Sequence, residues 1–584
     1  MLCRAALCRL AGRLACALAL APCARATAQS LPSGPVQRGR GSCDGDTVTY
    51  VDVRSHAPSS DNIATEASRT TRRVLGVPYE PTRPAVVAAY LRVAGGRVCT
   101  ELDRRESERL LRAQPFISSA TVRAIPDGPG HVRLQVDVVD ELPLIVGGSL
   151  SRGTVSSLLL GTQNLRGLGI SLTESVERGF AYRNGFGVRA VKYAMFGRPD
   201  YMAVAGERTP HGDAFSFELA EPFLTDLQER AFHARFSTAS DYYGVTPPVG
   251  DAVSLYVRRT VYDVGYVTRV GHASGRGMVG LLGAVMLGED VRTGLSPVIV
   301  SDSGFVAAPG SQIGTYPAFA SIRGAVIGGL RSLRFTTVRG FDALTAAQDM
   351  GTGVQVDVLA GPSVWASRGA NDLFVSGDLY AGIGDERSFF VARALAEMRG
   401  NREAHSWDGV VASSRLAWYG KPSDARTEMA SLEASGVQGL NFPLQLSFRD
   451  ADGGLPGFGS STWSGGQRII ARVEERRVIK AISSRADFGV AVFADGGKLW
   501  AGDVPYGQTT GIHASAGLSL LAAYPSGGKR TYRVDLAVPL NPQGGGMHLE
   551  LRLSSNDRTR LLWIEPRDVA TARTGAVPAS LMKW

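Results

Sequence analysis

From about residue 144 to about residue 555 the chain alternates apolar and polar positions with a period of two. Met547, Leu549, Leu551 and Leu553 are apolar, and His548, Glu550, Arg552 and Ser554 between them are polar. Tyr532, Val534, Leu536 and Val538 form a second apolar row, and Phe488, Val490, Val492 and Ala494 a third, opposite Asp487, Gly489 and Asp495. Phe232, Ala234 and Phe236 face away from His233, Arg235 and Ser237. This period puts successive side chains on opposite faces of a strand. Turn residues (Gly, Asp, Asn, Pro) separate segments of about ten residues, the length at which a tilted strand crosses a bilayer.

Before residue 144 the signals are mixed. Residues 47–53 alternate as a strand. A helix is expected from Pro84 to Leu91, with Pro84 in its first turn and Gly95-Gly96 beyond its end. A second begins at Thr100-Glu101-Leu102 and runs through Leu110-Leu111. Two strands follow, 116–122 and 131–138, around Pro126-Asp127-Gly128. Residues 55–82 read as an unassigned insertion.

The alternation fits soluble β-sandwiches, whose apolar face packs on a second sheet. It also fits a transmembrane barrel, with apolar residues toward lipid and polar ones toward a watery lumen. In lipid only a closed sheet satisfies every backbone group, so a barrel must run without a linker. No linker interrupts the rhythm over this stretch. Composition agrees, with 70 glycines in 584 residues and 44% hydrophobic residues. Beyond the first thirty residues no apolar run approaches the ~18 residues of a spanning helix, which excludes a helical membrane protein.

Residues 1–28 read as a secretory signal, with Arg4, Arg9 and Arg13, an apolar core and the cleavage site Ala26-Thr27-Ala28. Removing its four arginines lowers the net charge from +9 to +5, too little to imply a nucleic-acid partner. Four of six cysteines leave with it. Cys43 and Cys99 remain, an even pair in an exported protein, and are expected to pair. Closing that loop would stabilise its domain by roughly 4 kcal/mol. No zinc-protease, paired-cysteine, phosphate-loop or serine-hydrolase motif occurs. No enzyme, cofactor or metal site is therefore expected, and His233 and His548 are read as solvated lumen residues.

The segment Ser107-Glu108-Arg109-Leu110-Leu111…Gln114-Pro115-Phe116, in its order of strand, two helices and two strands, resembles a POTRA domain. Such domains receive extended polypeptide on a sheet edge. Between residues 453 and 540 the motif order resembles the outer-membrane assembly and secretion barrels, the family of BamA, TamA and the two-partner secretion transporters. Gly454-Leu455-Pro456-Gly457-Phe458-Gly459 resembles that family's lumen-entering loop. Arg468, Arg472 and Glu474 lie on the polar face of the next strand, and Phe493-Ala494-Asp495 resembles its Phe-x-Asp strand. Residues 533–540 resemble its penultimate strand, and Asn164-Leu165-Arg166-Gly167-Leu168-Gly169 its early-barrel turn. The family loop carries an arginine that pairs with the strand aspartate. Here Pro456 stands in its place, so Asp495 needs another cation, with Arg468 and Arg472 nearest in sequence. A literal Val338-Arg339-Gly340-Phe341 also occurs, but 243 residues follow it, against 126 after Phe458. The copy at Pro456, Gly457 and Phe458 is therefore preferred, and Arg339, Gly340 and Phe341 are the alternative.

The expected architecture is an all-β transmembrane barrel of about 16 antiparallel strands, the number the resemblance implies, preceded by a small α+β POTRA-like periplasmic domain. Its parts are a signal (1–28), a linker (29–45), the POTRA-like domain (46–143), an outer-membrane barrel (144–555) and a C-terminal extension (556–584). The function implied is insertion of proteins into, or translocation across, the bacterial outer membrane. The partners implied are unfolded outer-membrane or secreted polypeptides, outer-membrane lipid and accessory periplasmic proteins. The alternative is a passive pore, receptor or surface antigen with a POTRA plug.

Overall fold

The computed structural model describes residues 43–58, 79–151, 154–180, 182–247, 250–271, 278–308, 313–367, 372–401, 406–479, 486–541, 550–554 and 563–575. The signal, most of the linker, His548 and Trp584 lie outside them.

The first part of the described chain is a four-stranded sheet with two helices: β1 (Asp44–His56), α1 (Pro84–Ala88), β2 (Val98–Thr100), α2 (Glu101–Arg112), β3 (Ile117–Pro126) and β4 (His131–Asp140). The sheet order is β2-β1-β4-β3, with β1 parallel to β4. Thr100 caps α2 by accepting from the Asp103 amide at 3.1 Å. Acidic residues open that helix and Arg109 and Arg112 close it, which suits its dipole. Leu110 and Leu111 pack on Val122, Val136 and Val138 in the domain core. The Cys43 and Cys99 sulfurs are bonded and tie the start of β1 to β2.

Apart from a short pair inside one loop, Leu446–Ser447 with Ser464–Gly465, the rest of the strands close into one antiparallel barrel. Its wall has twenty strands among the described residues, from Leu144–Ser151 to Glu550–Ser554, with a side hairpin (Val298–Ser301, Gly304–Ala307) outside the ring. This exceeds the expected sixteen, a number the alternating segments themselves did not support. Early strands such as Tyr201–Arg208 and Asp213–Glu221 are short, whereas Phe319–Arg339 is 21 residues long.

The barrel is inside-out relative to a water-soluble protein. Val326, Leu330, Val354, Val356 and Val358 point outward and are exposed, while Arg323, Arg331, Arg415 and Arg533 are among the largest fully buried side chains. In water such an exterior is unfavourable; against hydrocarbon it is the stable arrangement. No described helix is long and apolar enough to cross a membrane. The rim that joins the small domain is called proximal below, and the opposite rim distal.

Candidate functional site

The site grows from one strand, Gln467–Val478. Its odd-numbered residues Ile469 and Val473 face outward, so Arg468, Arg472, Glu474 and Arg476 face the lumen, all buried. Buried guanidinium groups need acceptors, and these find them on elements inserted into the barrel. Arg468 makes a forked pair with Asp568 (2.7 and 2.9 Å) and also donates to the Ser447 carbonyl. Arg472 pairs with Asp495 at 2.9 Å and donates to the Gly453 and Gly454 carbonyls at 3.2 and 2.9 Å. Arg476 reaches the Asp342 carbonyl at 2.8 Å and Glu474 at 3.0 Å. Glu474 also accepts from Arg533 at 2.8 Å, and the Arg533 guanidinium lies over the Phe493 ring.

Asp495 therefore keeps a cation even though Pro456 stands at the loop position. The arginine comes from the neighbouring strand, register partner Arg472, and the same guanidinium grips the loop by its backbone. The loop between Arg426–Gln438 and Gln467–Val478 enters from the distal rim. At its tip Leu455 and Phe458 are buried with Phe448, Ile470 and Leu499. Gly457 has φ +80°, and a Cβ there would lie 3.0 Å from Pro539, so glycine lets the tip approach the end of the wall strand Thr531–Pro539.

The second Arg-Gly-Phe segment lies in the proximal turn between Phe319–Arg339 and Ala347–Ala366. It is not a distal loop, and the Arg339 side chain is exposed. Phe341 is buried against Tyr419, ring centroids 5.8 Å apart. Gly340 offers its carbonyl to Thr427 at 2.7 Å.

The described part of the C-terminal extension does not lie beyond the barrel. Residues 563–575, including α3 (Arg567–Ala572), occupy the lumen. Arg259 donates to the Thr571 carbonyl (2.9 Å), Arg235 to the Thr574 carbonyl (3.2 Å) and Arg393 to the Trp563 carbonyl (3.4 Å). Arg573 forks onto Glu565, which also accepts from Ser413, and the Thr574 amide donates to Glu397 at 2.7 Å. Arg235 and Arg468 stand on opposite sides of the ring, so this segment crosses it. Val569 and Ala572 pack on the inward residues Val257, Val291, Val411 and Val437 and on loop residues Phe442, Leu444 and Leu446.

Two joints complete the site. Around the ring, neighbouring strands pair along most of their length, but the first and last meet only where Arg552 faces Ser149 and Leu553 faces Gly148 among the described residues. The small domain is seated on the proximal rim. Asp140 accepts from Tyr79, from the Thr82 amide and from the Thr82 hydroxyl (2.6–2.9 Å). Asn164 donates to Thr82 Oγ1 at 2.6 Å and accepts from the Gly169 amide at 2.8 Å. Burial raises the Asp140 carboxyl to about 6 against the opposing pull of these donors. Gly167, at φ +65°, would place a Cβ 2.0 Å from the Pro81 carbonyl. Arg112 reaches Asp349 (2.7 Å) and Thr337 (3.1 Å) across the mouth, and Lys529 donates to the Arg112 carbonyl. Burial lowers the Lys529 amine to about 8.

On the domain's far edge, β1 meets β2 only near Asp44 and Thr47, while β4 covers its other side from Thr47 to His56. A groove of about 670 Å³, lined by Tyr50, Val53, Pro84, Ala88, Leu91 and Arg92 among others, runs beside this edge.

His233 is not solvated: it is buried between Asp263 (2.6 Å) and Glu218 (3.3 Å). Among the described residues no group of three or more His, Cys, Asp or Glu side chains is placed to hold a metal ion. Sequence reasoning missed Asp568, Arg573 and the arginines that hold residues 563–575. The inward apolar positions Val257, Val291, Val411 and Val437 that seat the segment did not mark it, because they stand among other inward apolar residues such as Val261, Leu287, Ile327 and Leu359.

No protein-family model matches this chain, and no curated protein matches it. Solved structures similar to it include CdiB from Escherichia coli, at 11% identity and TM-score 0.45, covering 90% of this chain and 93% of that one. BamA from Haemophilus ducreyi lacking POTRA domains 1–3 is similar at 10% identity and TM-score 0.33, covering 87% and 84%. CdiB from Acinetobacter baumannii is similar at 11% identity and TM-score 0.30, covering 94% and 96%.

Proposed function

We propose that this chain spans the bacterial outer membrane and inserts polypeptides into it, or passes them across it, with the small domain acting as a POTRA-type receiving domain in the periplasm. The observation that carries this reading is a closed barrel with an apolar exterior, whose first and last strands, Leu144–Ser151 and Glu550–Ser554, complete the ring and on whose proximal rim a small sheet domain is seated. A closed sheet has no edge to offer. Parting of the joint between the first and last strands would present two edges to an incoming strand. The open side of β1 and its groove support the first step, capture of an extended client by strand addition. The work is the exchange of backbone hydrogen bonds, and it calls for no covalent chemistry. A permanently open pore fits poorly, because the loop, residues 563–575 and the small domain fill or cover the lumen.

The test is a reversible lock. Ser149→Cys with Arg552→Cys places two thiols at facing positions of the seam. Oxidation should stop the loss-of-client phenotype from being rescued, and reductant should restore rescue, read as an inventory of outer-membrane and secreted proteins after depletion. Full rescue by the oxidised, cross-linked protein would overturn the reading.

A further inference from the structure

Three arginines of the distal lumen, together with Glu397, bind the inserted segment through its backbone. Arg259, Arg235 and Arg393 take the carbonyls of Thr571, Thr574 and Trp563, and Glu397 takes the Thr574 amide. The same habit recurs where Arg472 takes Gly453 and Gly454, and where Arg468 takes Ser447. Backbone acceptors are common to every polypeptide, so this surface can recognise an extended chain with little regard to sequence. Side-chain contacts, among them Arg399 to the Thr574 hydroxyl, Ser413 to Glu565 and Arg573 to the Val411 and Leu395 carbonyls, make residues 563–575 the preferred occupant. Chief among them is the fork between Arg468 and Asp568, with Val569 and Ala572 on their apolar seat.

We propose that the arginine-lined distal lumen is a binding site for extended polypeptide, and that residues 563–575 occupy it as a built-in, displaceable plug. The segment crosses from the Arg235 side of the ring to the Arg468 side, so its departure opens a path through the barrel. Exposure of Val257, Val291, Val411 and Val437 to water opposes that departure, which keeps the resting state closed. The inference rests on the membrane-spanning reading proposed above for its conductance test, but the labelling test below does not.

The full chain in planar lipid bilayers tests it. Asp568→Arg or Arg468→Asp should raise the conducting fraction at least about tenfold, because each leaves like charges facing one another where a buried pair stood. The combined swap should return it to the native level. Ala572→Cys reads the same event in detergent: a membrane-impermeant maleimide should label it slowly in the otherwise native chain and at least about tenfold faster beside Asp568→Arg. A synthetic peptide of residues 563–575 should block the current of the Asp568→Arg protein, in which Arg468 is intact, and the peptide carrying Asp568→Arg should not. Unchanged labelling of Ala572→Cys beside Asp568→Arg in a heat-modifiable, folded barrel would overturn the plug. Failure of the native peptide to block an opened barrel would overturn the binding site. A barrel that will not enter bilayers but shows the labelling change would instead count against the membrane function and leave the plug standing.

Discussion

Strands Phe319–Arg339 and Ala347–Ala366 run in register from Arg339 opposite Ala347 to Ser321 opposite Ala366, with one irregularity. Strands Glu550–Ser554 and Leu144–Ser151 meet at Arg552–Ser149 and Leu553–Gly148. Both joints belong to the same ring and face the same surroundings; among the described residues the first is a long ladder and the second is described at two facing positions. Gln467–Val478 makes the contrast sharper, since its ladder is long and its inner arginines also clamp the loop, the C-terminal segment and a proximal turn. The lumen bracing is thus concentrated on Gln467–Val478, and the opening proposed above is placed away from it, at the joint of the first and last strands.

The braced side should be the most sensitive. Arg472→Ala removes the guanidinium shared by Asp495 and the loop carbonyls, and should cost about 3–5 kcal/mol of barrel stability, measured by urea unfolding in lipid. Arg472→Met with Asp495→Leu should cost much less, because it removes both charges. Next, Val356→Pro in the long ladder should cost about 3 kcal/mol or more, since it deletes a hydrogen bond inside a central strand.

The foot of the seam is set by the domain joint, and there pH enters. The Asp140 carboxyl sits at about 6 when folded, against about 3.9 in an unfolded chain. The folded state therefore binds more protons between those values. Stability of the docked domain should fall by about 3 kcal/mol as pH rises from about 4 to about 6, then level off. Asp140→Asn should flatten this profile, read by thermal unfolding across that window. Asn164→Ala should loosen the same joint by about 1–2 kcal/mol, through the buried Thr82 hydroxyl and Gly169 amide it leaves unmet. The smallest effect belongs to the seam itself: the reduced Ser149→Cys, Arg552→Cys protein should lose under about 1 kcal/mol, because both substitutions keep the backbone ladder. A cost as large as that of Val356→Pro would erase the contrast.

Much of this was legible in the residues. Alternation told which side chains face inward, and Arg468, Arg472, Glu474, Phe493 and Asp495 all do. Facing of Arg472 and Asp495 across a hairpin follows from register, which periodicity alone leaves free. The strand number was not legible from a resemblance, because barrels of different size share the same local pattern. Residues 563–575 were illegible for another reason: a six-residue helix has almost no periodicity, and its partners lie one to three hundred residues away. The exposed Arg339 shows the converse, a motif whose letters match but whose place in the ring does not.

Hydrogen–deuterium exchange of the folded protein in lipid tests the central claim most directly. Amides of Leu144–Ser151 and Glu550–Ser554 should exchange at least about a hundredfold faster than those of Ala347–Ala366, because local opening there costs less than opening the wall. Equal protection at the two places would contradict a barrel that opens at its seam.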